Sequence, residues 1–398
     1  MKIAHVSDCY LPRLGGIELQ VRDLAQRQVA AGHEVTVFTT TVDPEAPTED
    51  ELTAVVRVDH LGQRHRRRQA AGRIRYRDSW RARAAFREEK FDAVHVHAST
   101  FSLLAYLVAG EAARQGVPTV ITLHSLWSKA EPLFHAFRYA TGWTKWPLVW
   151  TAVSDAAADP LRRVIRERGQ VAILPNGIDP DEWQVPVRRA DPNVFRIAAV
   201  MRLAPRKRPL HLLRTLQQAR RLTPANVTLE VEILGDGPER PQMERFIVRH
   251  DMQGWVRLAG RVGREEIRQV YARSDLFVAP ATYESFGIAA LEARCAGLPV
   301  LARAGTGVAE FVVDGRDGHL VGSDHDMARV IAGMAGLDPA WVLAQPLGPI
   351  PRRVTWDSVV DHCDELYEAA ALKQGIPGAG QANEPTVTVG APLARPGS

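Results

Sequence analysis

The amino-acid sequence predicts an α/β protein built from two doubly wound domains that face a common cleft. Three observations carry this. Short apolar runs alternate with helix-period segments along most of the chain. The runs are almost continuously apolar, as in parallel sheets covered by helices on both faces. The alternation breaks once, in a proline-bearing stretch around Asn176–Pro192, and then resumes.

In the first half the predicted strands are Lys2–Ser7, Glu34–Thr39, Val55–His60, Ala93–His97, Thr119–Leu123, Thr151–Val153 and Val171–Leu174. The first helix is marked by Ile17, Val21, Leu24 and Ala25 and closed by Gly32. Pro180, Pro186 and Pro192 among charged residues predict a hinge near Asp179–Pro192. The second series is Phe195–Val200, Leu229–Leu234, Val256–Leu258, Leu276–Ala279, Pro299–Ala302 and His319–Val321. The expected organisation is a first domain over 1–182 and a second over 193–353. A C-terminal helix over 354–373 is expected to pack back on the first domain, before a Pro- and Gly-rich tail over 374–398 with no periodicity. Ligands of such sheets bind at the carboxyl ends of the strands, so the site is expected between the domains.

With 398 residues, 45% hydrophobic and 24% charged, the composition is that of a globular protein large enough for two cores. A net charge of +4 welcomes anionic ligands without demanding nucleic acid. Cys9, Cys295 and Cys363 are too far apart for a Cys-x-x-Cys metal or redox pair. Met1–Asp8 is too short an apolar run for a signal peptide, and no stretch approaches the ~18 apolar residues of a membrane span. A cytoplasmic protein is expected.

The sharpest chemical signal is Glu284-Ser285-Phe286-Gly287-Ile288-Ala289-Ala290-Leu291-Glu292, directly after a strand and its loop. A helix starting near Phe286 would turn the free amides around Ser285–Ile288 toward a phosphate or sugar oxygen, with Glu292 about two turns on. Next is Met201-Arg202-Leu203-Ala204-Pro205-Arg206-Lys207, at the end of the strand Phe195–Val200. Two fixed cations, Arg202 and Lys207, can neutralise a diphosphate leaving group, the task a metal performs elsewhere. Paired glycines, Gly15-Gly16, let the backbone approach a ligand between the first strand and helix. His124 closes the strand Thr119–Leu123, where it can hydrogen-bond a bound sugar.

Other signals are discounted. Gly235-Asp236-Gly237 and Gly305-Thr306-Gly307 do not complete Gly-x-Gly-x-x-Gly, which argues against a dinucleotide cofactor. Asp324-His325-Asp326 is read as helix capping rather than metal binding. His95 and His97 share a strand face without an evident third ligand, so no metal is expected.

In order and spacing these residues resemble glycosyltransferase family 4. The likeness runs through Gly15-Gly16-Ile17-Glu18, Asp92-Ala93-Val94-His95-Val96-His97, Leu123-His124, Val153-Ser154 and Pro175-Asn176-Gly177-Ile178-Asp179. It continues through Arg202 with Lys207, Gly235-Asp236-Gly237-Pro238 and the Glu284-to-Glu292 motif. The resemblance implies the GT-B fold, two Rossmann-like domains, and retaining, metal-independent transfer of a hexosyl group from a UDP- or GDP-sugar to a hydroxyl acceptor, without a cofactor. It implies that Arg202 and Lys207 hold the diphosphate, Glu292 the ribose, and Glu284 with the amides of Ser285, Phe286, Gly287 and Ile288 the sugar. His124 would contact the sugar near the reacting carbon, and Gly15 and Gly16 would border the phosphates. Met201 stands where the family usually has Gly. An epimerase of similar architecture and a non-catalytic nucleotide-sugar binding module stay open.

The segment Arg57–Lys90 is arginine-rich, and in the acceptor-side domain it is read either as meeting an acceptor phosphate or an anionic membrane surface, or as a solvated loop and helix face. Sparse aromatics there argue against nucleic acid. The stretch Phe134, Phe137, Tyr139, Trp143, Trp146 and Trp150 is read as an acceptor groove, a membrane-facing surface or ordinary core.

Overall fold

The computed structural model describes residues 1–12, 15–41, 49–50, 53–57, 86–100, 102–127, 131–165, 170–186, 193–337 and 347–376. The first sheet contains β1 (Lys2–Ser7), β2 (Glu34–Thr39), β3 (Glu49–Asp50), β4 (Thr53–Arg57), β5 (Ala93–Ala98), β6 (Thr119–Leu123), β7 (Val149–Ala152) and β8 (Val171–Ile173). Its order is β3-β4-β2-β1-β5-β6-β7-β8, parallel except for the β3–β4 pair. The second sheet is formed by β9 (Val194–Val200), β10 (Thr228–Leu234), β11 (Val256–Gly260), β12 (Leu276–Ala279), β13 (Val300–Arg303) and β14 (Gly318–Val321). Its order is β11-β10-β9-β12-β13-β14, parallel throughout. Two doubly wound sheets face one cleft, as the apolar runs predict.

The helices that matter here are α1 (Gly16–Ala30), α2 (Leu103–Gln115), α3 (Glu131–Thr141), α4 (Asp155–Ile165), α5 (Pro180–Trp183), α6 (Pro209–Leu222), α7 (Arg240–Arg249), α8 (Arg264–Arg273), α9 (Ile288–Cys295), α10 (Asp324–Ala335) and α11 (Trp356–Lys373). None of the helices among the described residues is long and apolar enough to cross a membrane.

Strand boundaries differ from the sequence reading by a few residues. The strand read as Thr151–Val153 runs Val149–Ala152, because Val149 and Trp150 already pair with Val120 and Ile121. The strand read as Val55–His60 is Thr53–Arg57, in register with β2, and 58–60 lie outside the described residues. The same holds for 58–85 of the basic segment and for 377–398 of the tail.

The aromatic stretch is core where its side chains are described. Trp127 and Phe134 stack with centroids 3.6 Å apart, and Trp143 meets both Trp127 and Trp150 edge-on. An acceptor groove built from Phe134, Trp143 and Trp150 is thereby ruled out, since these side chains are buried.

The chain crosses between the sheets twice. After β8 it passes Asp179, whose side chain caps α5. It returns near Thr355, where Ile178 donates to Val354 O (2.8 Å) and Trp356 donates to Ile178 O (3.1 Å). α11 then lies on the first sheet: Trp356, Val359, Cys363, Leu366 and Tyr367 share a core with Ile3, Val21, Val35 and Val120. Trp356 carries this junction, with the Arg27 guanidinium 5.3 Å above its ring and the ring buried against the Gly177 backbone. Trp356→Ala should lower stability by about 3–5 kcal/mol through the lost indole and its cavity. Urea melts followed by circular dichroism test this, and a change under about 1 kcal/mol would contradict the junction role.

Candidate active site

A doubly wound sheet opens a crevice where its strand order reverses, outside the carboxyl ends of the strands. The reversal lies between β1 and β5 in one sheet and between β9 and β12 in the other. The loops after β1, β9 and β12 carry Gly15-Gly16, Arg202 to Lys207, and Glu284. β6, next to β5, ends at His124.

On the second sheet, Met201–Arg208 is pinned by backbone bonds. Met201 donates to Leu234 O (2.9 Å), Leu203 to Asp236 O (3.0 Å) and Glu239 to Leu203 O (2.9 Å). Gly235, at φ 125°, passes so close that a Cβ would lie 1.9 Å from Met201 O. The Gly235-Asp236-Gly237 run therefore buttresses the cation loop; it holds no nucleotide fingerprint of its own. Arg202 stands exposed on that loop. The Lys207 ammonium pairs with the Glu284 carboxylate, a short charge-assisted contact joining the two strongest sequence signals.

The Glu284 loop is held in the same way. Gly307 donates to Glu284 O (2.9 Å), and a Cβ on Gly307 would lie 2.1 Å from Ser285 O. α9 begins at Ile288, two residues later than expected near Phe286, because Gly287 takes a left-handed φ of 93°. Phe286 is buried against Phe311 at 5.4 Å and can offer a ligand only its backbone. Within α9, buried Arg294 pairs with buried Asp317 at 2.7 Å and ties the helix to the β13–β14 connection. Glu292 is half-buried in the same helix. Desolvation pushes its carboxyl up to about 8; Arg264 opposes the shift and Asp23 adds to it.

The first sheet supplies the opposite wall. Gly16 approaches α9 so that a Cβ there would lie 3.9 Å from Ile288 Cγ2. Gly15 leaves room for the Glu18 carboxylate. His124 is buried; its amide donates to Ala98 O (2.9 Å) and its carbonyl accepts from Ser285 Oγ (2.7 Å). Ser154 Oγ donates to Ser285 O. Farther along the seam, Asp155 N donates to Glu310 Oε1 (2.7 Å) and Arg264 pairs with Asp23 at 2.8 Å. The candidate residues from the two halves of the chain are thus neighbours.

His95 and His97 do have a third histidine beside them. The parallel register sets His5 opposite His95, a pairing 90 residues apart that spacing alone does not reveal. The ligand-type atoms of His5, His95 and His97 lie within 4.8 Å of one another. Their nitrogens are engaged in hydrogen bonds, His5 Nδ1 to His97 Nε2 at 2.8 Å and His97 Nδ1 to His124 Nε2 at 3.0 Å. Burial holds His5 and His124 down at about 4, and His95 and His97 well below the ordinary histidine range.

Three more departures complete the site. Asp324 does not cap α10: Ser323 does, accepting from Asp326 N at 3.0 Å, while Asp324 binds Arg208 at 2.6 Å. Asp8, unmarked by any sequence pattern, sits at the β1 switch point and accepts from the Leu104 and Ala105 amides of α2 (3.0 and 3.2 Å); burial raises its carboxyl to about 6. Glu310, Arg264 and Asp23 likewise gave no sequence signal, because each reaches a residue of the other domain.

Residues 14–182 match the sequence model of Glycosyltransferase Family 4, and residues 184–335 match that of Glycosyl transferases group 1. The chain is 25% identical over 377 residues to one component of the phosphatidylinositol N-acetylglucosaminyltransferase of Arabidopsis thaliana, covering 93% of this chain and 82% of that protein. It is 28% identical over 380 residues to D-inositol 3-phosphate glycosyltransferase of Frankia alni, covering 86% and 88%. Among solved structures, Anabaena Alr3699/HepE in complex with UDP and glucose shares the fold with a TM-score of 0.67 at 20% identity, over 92% of this chain and 98% of that one. WaaG, a glycosyltransferase involved in lipopolysaccharide biosynthesis, shares it with a TM-score of 0.61 at 18% identity, over 94% and 100%.

Two outcomes follow from this geometry. Gly307→Ala drives a Cβ into the Ser285 carbonyl and should cost about 1–3 kcal/mol; an unchanged melting temperature would refute the buttress. Glu292 holds its proton in the folded chain up to about 8, against 4.5 when unfolded. Stability owed to it is present at low pH and is lost as pH rises between those values. Glu292→Gln should therefore melt higher than wild type at pH 9 and equally at pH 4, and parallel curves across that range would count against the shift.

Proposed function

The chain belongs to glycosyltransferase family 4, and from that premise we propose that it is a retaining, metal-independent hexosyltransferase using a nucleotide-diphosphate sugar. The observation that carries this reading is the Lys207–Glu284 ion pair set opposite His124 and Gly15-Gly16 in the interdomain cleft.

In this reading Arg202 and Lys207 take the donor diphosphate and replace a metal's charge. Lys207 exchanges part of its pairing with Glu284 for the phosphate, freeing Glu284 to bind a sugar hydroxyl. The backbone of Ser285–Ile288 lines the sugar beside Glu284, and Gly15 and Gly16 leave space for the phosphates. Glu292, protonated near neutral pH, can donate to one ribose hydroxyl and accept from another. His124, kept neutral by burial, contacts the sugar.

The acceptor oxygen attacks the anomeric carbon on the face from which the diphosphate leaves. The carbon–phosphate-oxygen bond breaks as the new glycosidic bond forms, and the acceptor proton passes to a phosphate oxygen. Closure of the seam excludes water, which limits donor hydrolysis. An inositol-bearing acceptor is the first to test, because both relatives described above carry inositol in their names and the arginine-rich segment suits a phosphate.

The experiment is nucleoside diphosphate release from a panel of UDP- and GDP-sugars with chelator present, with and without inositol phosphate. Turnover of one donor is expected. Lys207→Ala should reduce it about a hundredfold or more, the scale for losing one preorganised charge donor. Full activity in Lys207→Ala, or strict dependence on a divalent cation, would reject the reading.

A further inference from the structure

Resting on the reading of Glu292 as the ribose contact, we infer that Asp23 is a positioning residue for donor recognition: from the first domain it holds the Arg264 guanidinium across the seam and so keeps it from pairing with Glu292. The juxtaposition is one arginine of the second domain set between a carboxylate of its own domain and a carboxylate of the other.

Arg264 is the first residue of α8, and its guanidinium binds the Asp23 carboxylate of α1 at 2.8 Å, a contact between residues 241 apart. Tyr271, two turns further along α8, donates its hydroxyl to Ala289 O of α9 at 3.1 Å. Residues seven apart share a helix face, so the face that carries Arg264 is the one packed on α9. Glu292 lies one turn after Ala289 on that helix, and Arg264 and Glu292 each stabilise the other's charged form. The guanidinium thus has a carboxylate on either side. Asp23 makes the direct contact from a side chain only 13% exposed. Glu182 stands 3.8 Å from Arg264, but it is 53% exposed and shared with Arg27 at 3.9 Å, so it competes weakly.

The other charged groups around α9 are engaged elsewhere. Arg294 pairs with Asp317, Asp179 with Arg27, Arg22 with Asp23 and Arg268 with Glu265. Burial pushes the Cys295 thiol up to about 12, so it stays neutral. β12 and β13 meet α9 through apolar Phe277, Val300 and Ala302. Among the described residues, Arg264 and Asp23 are the charges that act on Glu292. When the seam opens, Asp23 withdraws and Arg264 closes on Glu292, which engages the carboxylate. When the seam is shut, Arg264 belongs to Asp23 and Glu292 is left for the ribose hydroxyls. Domain closure and ribose binding therefore favour each other, because the nucleotide prefers the state in which Glu292 is released.

The test first reads Glu292 without any ligand, as the gap in urea midpoint at pH 9 between each full chain and its Glu292→Gln counterpart. In the wild type this gap reports a carboxyl that keeps its proton up to about 8 in the folded chain. Asp23→Asn releases Arg264 onto Glu292, favours the ionised form and should shrink the gap by half or more. Arg264→Gln should widen the gap, and in that background Asp23→Asn should have under half its effect. An unchanged gap in Asp23→Asn, or the same shrinkage with Arg264 removed, overturns the proposal. If Asp23→Asn does not fold, Arg264→Gln decides, and a gap no wider than in the wild type overturns it. Calorimetry with UDP, GDP and their 2′-deoxy forms then reads the ribose. Asp23→Asn should weaken the preferred nucleotide about tenfold, equivalent to about 1.4 kcal/mol, and reduce its advantage over the deoxy form. Wild-type nucleotide affinity in Asp23→Asn overturns the positioning role. Glu292→Ala with that advantage intact would instead reject the ribose contact, and the midpoint gaps would still judge the hold of Asp23 on Arg264.

Discussion

Two serine hydroxyls join the halves of this enzyme. Ser285 donates to the carbonyl of His124, and Ser154 donates to the carbonyl of Ser285. Each bond spans the gap between the sheets and ends on backbone, so neither depends on a flexible partner. The candidate chemistry clusters around them: His124 and Ser285 are members of the site, and Glu284 is the neighbour of one. Without this seam the second sheet would present its cations and carboxylates to open solvent, where charge pairs are worth little. With it, Lys207 and Glu284 meet in a partly enclosed space.

Close backbone approach is the second constraint. The Arg202–Lys207 loop leans on Gly235 and Gly237, and the Glu284–Ser285 loop leans on Gly307. Both supports are glycines after a strand, and in both a methyl group would strike a carbonyl. Rigid loops at the two sides of one switch point suit a site that must hold charge in place rather than gather it on binding. The same logic explains Met201: its side chain packs with the second core while its backbone makes the contacts to Leu234 and Gly235, so the loop keeps its course without glycine at that position.

Burial divides the titratable groups by role. Desolvation raises Glu292 on the second wall and Asp8 on the first, and it lowers the four histidines of the first sheet, so around neutral pH those histidines are uncharged. The exposed or partly exposed cations, Arg202 and Lys207, are concentrated on the second wall.

The amino-acid sequence by itself determined the two parallel sheets, since near-continuous apolar runs at helix spacing have no other stable layering. It also determined that Gly15-Gly16, His124, Arg202, Lys207 and Glu284 follow strands or precede helices, with Glu292 inside the helix after Glu284, because those positions are set by local order. Tertiary structure alone decided the rest. Whether Lys207 touches Glu284, whether His5 completes the group around His95 and His97, and whether Glu310 reaches Asp155 depend on strand register and domain apposition across 77 to 155 residues. Local pattern carries no record of such distances. The start of α9 at Ile288, rather than near Phe286, turned on one left-handed glycine. The aromatic stretch after His124 became core because the rings found one another, a choice that composition leaves open and only packing makes.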